Sequence, residues 1–144
     1  MVNAHIDISQ GLDGEPVVLA CFDLSEEQLH ACAHAVAATA DRFRNSELST
    51  DDVIALRELT ALSDELADLA LRPGMRTVVL RPARLTTCRD AIARFIESRD
   101  EAEWVREEDR EPLARVRGLL YPLEDLCGDA LRAALGSAAA PRPH

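Results

Sequence analysis

The sequence contains no lysine and few aromatic residues. All 16 basic side chains are arginine, and Phe, Trp and Tyr together make up 3% of the 144 residues. With so few aromatics the core must be aliphatic, which is more typical of packed helices than of β-sandwiches or barrels. Aromatic side chains are also the usual stacking partners of nucleotide bases. Their scarcity, together with a net charge of −10, argues against binding to nucleic acid.

Long apolar runs and glycine clusters are also missing. No apolar stretch approaches the roughly 18 residues of a membrane span, and the N-terminus lacks the basic-then-apolar pattern of an export signal. We therefore expect a cytoplasmic protein without membrane partners. The six glycines form no phosphate-binding loop, and no nucleophile elbow or H-E-x-x-H motif occurs. The sequence thus favours a protein that is not an enzyme and binds no cofactor.

The remaining composition, 47% hydrophobic and 29% charged, is that of a globular chain. We predict one helical domain over residues 1–136 and a flexible tail over 137–144. The four cysteines, Cys21, Cys32, Cys88 and Cys127, form no C-x-x-C pair. We interpret them as buried, reduced thiols, with a disulfide or a cysteine metal site as the alternatives.

Three segments have the pattern of strands. Alternation around Ile6 and Ile8 predicts a half-exposed strand, and the apolar run from Val17 to Phe22 predicts a second, which could close a hairpin with the first. The β-branched run from Thr77 to Leu80 predicts a third.

Four segments have the pattern of helices. The first is predicted at 26–44, because Ser25 and Gln28 match a capping box. The second begins near Asp51 behind Ser49 or Thr50 and ends before Pro73, and the third begins at Pro82. The fourth begins near residues 111–112, with an apolar stripe that extends to Leu135 and a kink or break at Pro122.

Two blocks of sequence resemble each other. Residues 17–25 align with 78–86 at an offset of 61, and residues 57–71 align with 117–131 at an offset of 60. We interpret this as an internal repeat over about 17–71 and 78–135, the alternative being chance similarity between amphipathic helices. The predicted fold is therefore mainly α: two αα-hairpins forming a pseudo-two-fold repeat of strand–helix–helix, with a small antiparallel β-ribbon or hairpin in which the two Val-Val-Leu strands meet.

Charge is distributed unevenly along the chain. Residues 1–72 carry 14 acidic and 4 basic side chains, whereas residues 73–144 carry 12 of each. Arg76, Arg81 and Arg84 surround the start of the third helix, where backbone N–H groups also favour an anion, so a small anionic ligand is one hypothesis. The simpler interpretation is that these arginines pair with the acidic first half or remain solvated.

A metal site is a second hypothesis. His30 and His34 are four residues apart on one helix face, and Glu27 lies one turn before His30, so the three could ligate a transition metal. Histidines at the edge of an apolar stripe are common without metal, and the second half of the chain has no matching set.

A protein interface is the third and leading hypothesis. Trp104 and Val105 stand within a run of charged residues, where a tryptophan either folds back as an anchor or forms the centre of a partner surface. Tyr121, beside Pro122, is interpreted first as a core residue that fills the kink. The sequence as a whole favours a non-enzymatic interaction or dimerisation domain, with a homodimer or a protein partner.

Overall fold

The computed structural model describes residues 2–46, 49–72 and 76–139. It is mainly helical, with a small three-stranded antiparallel sheet. In chain order the elements are β1 (Val2–Gln10), β2 (Pro16–Asp23), α1 (Glu26–Arg44), α2 (Thr50–Leu71), β3 (Thr77–Leu80), α3 (Pro82–Asp100) and α4 (Glu107–Ala139).

The predicted hairpin is present. β1 pairs with β2 from Val2↔Asp23 to Gln10↔Pro16. The turn is closed by a hydrogen bond from Gly11 N to Glu15 O of 2.7 Å, and Gly14 has a φ of 82°, a left-handed conformation that glycine adopts without strain. The long loop therefore resolves into a compact turn.

β3 joins the free side of β2 and completes the sheet order β1-β2-β3. The predicted antiparallel pairing of the second and third strands is confirmed, but its register differs. The ladder runs from Ala20↔Leu80 to Asp23↔Thr77, so Val17–Leu19 lie beyond it and do not face the second Val-Val-Leu segment. The pairing stops at Leu80 because Pro82 already begins α3.

The first three helices begin where the sequence predicts. Ser25 and Gln28 form the capping box of α1, Ser49 and Asp52 form that of α2, and Pro82 occupies the first turn of α3. None of the helices in the described ranges combines the length and the apolar character that crossing a bilayer requires.

α4 differs from the prediction in three respects. It begins at Glu107, it is continuous through Pro112 and Pro122, and it extends to Ala139, three residues into the segment expected as a tail. Of the predicted kink or break at Pro122, the break is therefore wrong. The helix continues because its tertiary contacts with α1, α3 and the sheet stabilise it around the missing N–H. Residues 140–144 of the expected tail lie outside the described residues.

One hydrophobic cluster contains side chains from all four helices and from β2 and β3. α1 contacts each of the other helices, while the sheet packs on α3 and α4. The apolar stripe predicted for the fourth helix overestimates burial at its end, because Leu131 and Leu135 are exposed; Val53, at the start of α2, is exposed as well. All four cysteines are buried and free, as interpreted from the sequence.

The offset of 61 does not match equivalent positions. It aligns Leu24, which precedes α1, with Leu85, which lies inside α3. The two helices begin at Glu26 and Pro82, a spacing of 56 residues. The order strand–helix–helix does occur twice after β1, but the alignment at an offset of 61 does not place the starts of α1 and α3 at equivalent positions, so the internal repeat is not confirmed.

Candidate protein-interaction cleft

A large open cleft lies between α1 and α3. It has a volume of about 1300 Å³ and is lined by the second half of each helix, with the connector of residues 101–106 between α3 and α4 on its rim. At its floor the buried Thr39 hydroxyl lies 2.9 Å from Ala35 O and 3.1 Å from Ala91 O, so it links α1 to α3. We call this feature the α1–α3 cleft.

The connector holds its two large apolar residues in different environments. Val105 is half-buried and packs against the core cluster, whereas Trp104 is 71% exposed and lines the α1–α3 cleft. The anchor interpretation of Trp104 is therefore wrong, and its neighbour Val105 fills that role. An exposed tryptophan beside a concave surface is the more informative kind of apolar exposure.

A buried carboxylate lies next to this connector. Asp109, in the first turn of α4, is only 4% exposed. Its Oδ1 is 2.7 Å from His34 Nε2 on α1, and its Oδ2 accepts a hydrogen bond of 2.8 Å from Arg99 Nε on α3. We call these three residues the Asp109 cluster, since one carboxylate joins α1, α3 and α4.

The electrostatics of the Asp109 cluster keep the carboxylate charged. Burial alone would raise the pKa of Asp109, but the hydrogen bonds from His34 and Arg99 and their positive charge outweigh burial, so this pKa lies below its ordinary value. A second ion pair, between Asp100 and Arg117, also joins the end of α3 to α4. The connector is therefore held at both ends.

Phe95 extends this arrangement into the cleft wall. The Arg99 guanidinium lies 4.8 Å from the centroid of the Phe95 ring, and the His34 ring meets Phe95 edge-on at 5.7 Å. These contacts orient the two partners of Asp109. His34 itself is not among the residues that line the cleft, so its imidazole is not placed to act on a molecule bound there.

The walls of the cleft carry charges of both signs. Arg42 and Arg94 lie on the α1 and α3 sides, and Arg94 stacks on Phe43 at 5.2 Å. Glu97, Glu101 and Glu103 lie on α3 and the connector, and within the described part of the chain their carboxylates form no ion pair. In the connector, Glu101 and Glu103 before Trp104 and Arg106 after it all line the cleft, and Arg106 lies 3.7 Å from Glu108.

The predicted metal ligands are not brought together. His30 Nε2 is 3.9 Å from Glu26 rather than Glu27, and His34 pairs with Asp109. Across residues 2–46, 49–72 and 76–139, no three His, Cys, Asp or Glu side chains are grouped so that they could hold a metal ion. Each histidine instead lies near a carboxylate that was not a predicted ligand, Glu26 for His30 and Asp109 for His34.

Two of the three arginines of the predicted anion site already lie near carboxylates of the same chain. Arg84 lies 3.2 Å from Glu58 and 3.4 Å from Glu65 on α2, and Arg76 lies 3.9 Å from Glu26. Arg81 is the exposed residue before α3 and its side chain forms no cap hydrogen bond. The simpler interpretation, pairing with the acidic first half, describes Arg76 and Arg84.

Sequence reasoning missed the Asp109 cluster. Asp109 lies in the run Glu107–Glu111, in which every residue is charged. Apolar periodicity therefore gives no indication that any residue of this run is buried. Its partners lie 75 and 10 residues away, so only the packing of three helices reveals them.

Comparison of the chain with models of protein families, with curated proteins and with solved structures found no match.

Proposed function

We propose that this protein is a non-enzymatic interaction domain whose α1–α3 cleft binds a segment of a partner protein. The observation that carries the proposal is the exposure of Trp104 on the rim of the cleft while the adjacent Val105 packs inward. Tryptophan is the residue type most enriched at the energetic centres of protein interfaces. The Asp109 cluster supports this role because it fixes the connector that presents the indole ring.

The chemistry of the rim favours a basic segment. Glu101 and Glu103 precede Trp104 in the connector and Arg106 follows it, and the indole face is the preferred partner of an arginine or lysine cation. A cationic side chain could therefore stack on the ring and meet the two carboxylates. The net charge of −10 would also accelerate the encounter with a basic partner at low salt.

Fluorescence anisotropy with a defined probe tests the proposal. A fluorescein-labelled peptide of alternating alanine and arginine should bind the wild-type protein, and the matched alanine–glutamate peptide should not. Trp104→Ala should weaken binding by at least about tenfold, the loss typical of an interface centre. Leu12→Ala is the control for loss of an exposed apolar side chain, because Leu12 is fully exposed in the turn between β1 and β2 and lies outside the cleft.

A second pair of variants separates a defined site from general attraction to an acidic protein. Glu103→Gln removes a carboxylate at the cleft, and Glu15→Gln removes an exposed one in the turn between β1 and β2. We expect only Glu103→Gln to weaken binding of the arginine peptide. Equal effects of the two variants, or unchanged binding by Trp104→Ala, would contradict the proposal.

The internal repeat also remains a proposal, at a different spacing from that of the sequence alignment. α1 and α3 each contain 19 residues. At a spacing of 56 their buried positions correspond as Leu29 with Leu85, Cys32 with Cys88, Ala35 with Ala91, and Val36 with Ile92. Superposition of the two strand–helix–helix halves at this spacing tests the internal repeat. A poor fit of α2 on α4 would contradict it.

A further inference from the structure

The outward face of α4 carries large apolar residues that the fold does not cover. Tyr121 is 77% exposed and Leu135 is 60% exposed, and Leu131 beside them is 59% exposed. Tyr121 and Leu135 share a helix face because they are separated by two full heptads, on the side opposite the buried Leu119 and Leu123. This α4 face includes no residue that lines the α1–α3 cleft.

A glycine lies at the centre of the α4 face. Gly128 is midway between Tyr121 and Leu135, and a Cβ added to it would meet only the end of the Arg132 side chain, at 3.7 Å. Glycine is the least favourable residue after proline in a helix interior. Nothing in the fold itself requires it here, since no backbone approaches and its φ is not positive. Gly118 and Gly136 of α4 are equally open, and Gly128 differs from them in lying midway between the two exposed apolar residues. A glycine at such a position lets another backbone come close.

The charges on the α4 face are arranged around the same glycine. Glu124 lies four residues before Gly128, and Arg132 lies four residues after it. If a second α4 crosses antiparallel with the two-fold axis at Gly128, Glu124 of each copy faces Arg132 of the other, and Tyr121 faces Leu135. Each of these contacts then occurs twice, and Glu124 and Arg132 bring opposite charges together, while the exposed Asp125 lies opposite Leu131.

We propose that the α4 face binds a second copy of this chain, as an antiparallel helix pair centred on Gly128. Helix axes pack about 8–10 Å apart, and a glycine at the crossing allows the short end of that range. Arg132 pairs with Asp129 of its own helix, but both side chains are exposed, so that pair leaves the guanidinium free to bridge to the facing carboxylate. A contact between a single pair of helices is expected to be smaller than the roughly 1,200–2,000 Å² typical of stable interfaces, so we expect a weak dimer that forms only at micromolar or higher protein concentration.

A charge-reversal experiment tests the orientation. Glu124→Arg and Arg132→Glu, each alone, place like charges opposite each other and should weaken the dimer at least about tenfold in sedimentation velocity. The double variant E124R/R132E should dimerise like the wild type. The two single variants, each monomeric alone, should form a heterodimer when mixed, because the reversed charges then complement each other.

Two further variants test the crossing point and independence from the cleft. Gly128→Leu should be monomeric with unchanged helical circular dichroism, because its side chain fills the space that the second backbone needs. Trp104→Ala should dimerise normally, so that a failure of the cleft proposal does not affect this result. A wild-type protein that stays monomeric at several hundred micromolar, or single charge variants that dimerise as well as the wild type, would overturn the proposal.

Discussion

Replacing Asp109 by asparagine tests the role of the Asp109 cluster. Removing one member of a buried ion pair typically costs about 3–5 kcal/mol, since the remaining charge stays buried without compensation. Here the side chains of His34 and Arg99 are 35% and 27% exposed, so each can regain some hydration. Asparagine also keeps the shape and one hydrogen bond. We therefore expect the free energy of unfolding to fall by about 2–3 kcal/mol at pH 7.

Urea denaturation followed by circular dichroism measures this difference. The midpoint should fall while the dependence on urea stays unchanged, since the surface exposed on unfolding is the same. Asp100→Asn is the matched control, because it removes an exposed carboxylate that pairs with Arg117 between the same two helices. An exposed pair contributes about 0–1 kcal/mol. If Asp109→Asn cost no more than Asp100→Asn, the Asp109 cluster would not stabilise the fold as we argue.

The effect of Asp109 should also depend on pH in a defined direction. Its pKa in the folded protein lies below the value of 3.8 expected for an unperturbed aspartate. The charged form therefore contributes its full stabilisation above pH 3.8, and this contribution is lost as the pH falls through the folded pKa. The difference between wild type and Asp109→Asn should shrink as the pH falls below 3.8. A difference that instead grows over this acidic range would refute the assignment.

Three further predictions concern the fold. Leu62→Ala should cost about 2–5 kcal/mol in urea unfolding, and Val53→Ala much less, because Leu62 is fully buried whereas Val53, on the same helix, is exposed. Ser25→Ala should cost about 0.5–2 kcal/mol through the lost capping box, and an unchanged midpoint would show that α1 does not need it. Burial raises the pKa of the Cys32 thiol to about 12, so a thiol reagent at pH 8 should label it only after unfolding; rapid labelling of the native protein would contradict its burial.

The elements with local signals were predictable from the sequence. α1 occupies Glu26–Arg44 as expected, because its start is fixed by contacts between Ser25 and Gln28, three residues apart. β3 and the start of α3 were likewise given by a β-branched run followed by Pro82. Such signals act within one turn and do not depend on how the helices pack.

The exposed residues of α4 were not predictable in the same way. Periodicity placed Leu131 and Leu135 in the buried stripe, yet both are exposed. α4 contains 33 residues against 19 in α1 and in α3. At a rise of 1.5 Å per residue it is longer by about 20 Å, so those helices cannot cover all of its turns. A pattern shows that a helix has an apolar face, but not over what length a neighbour meets it.

The connector and the start of α4 reverse the usual relation between polarity and burial. Asp109 is buried and Trp104 is exposed, although they are five residues apart in one charged run. Buried polar groups and exposed large apolar groups are the informative exceptions in a folded chain. In this protein the two exceptions are connected, because the buried carboxylate of Asp109 holds the segment that exposes the indole of Trp104. This coupling is the physical reason to look for the partner at the α1–α3 cleft before any other part of the described surface.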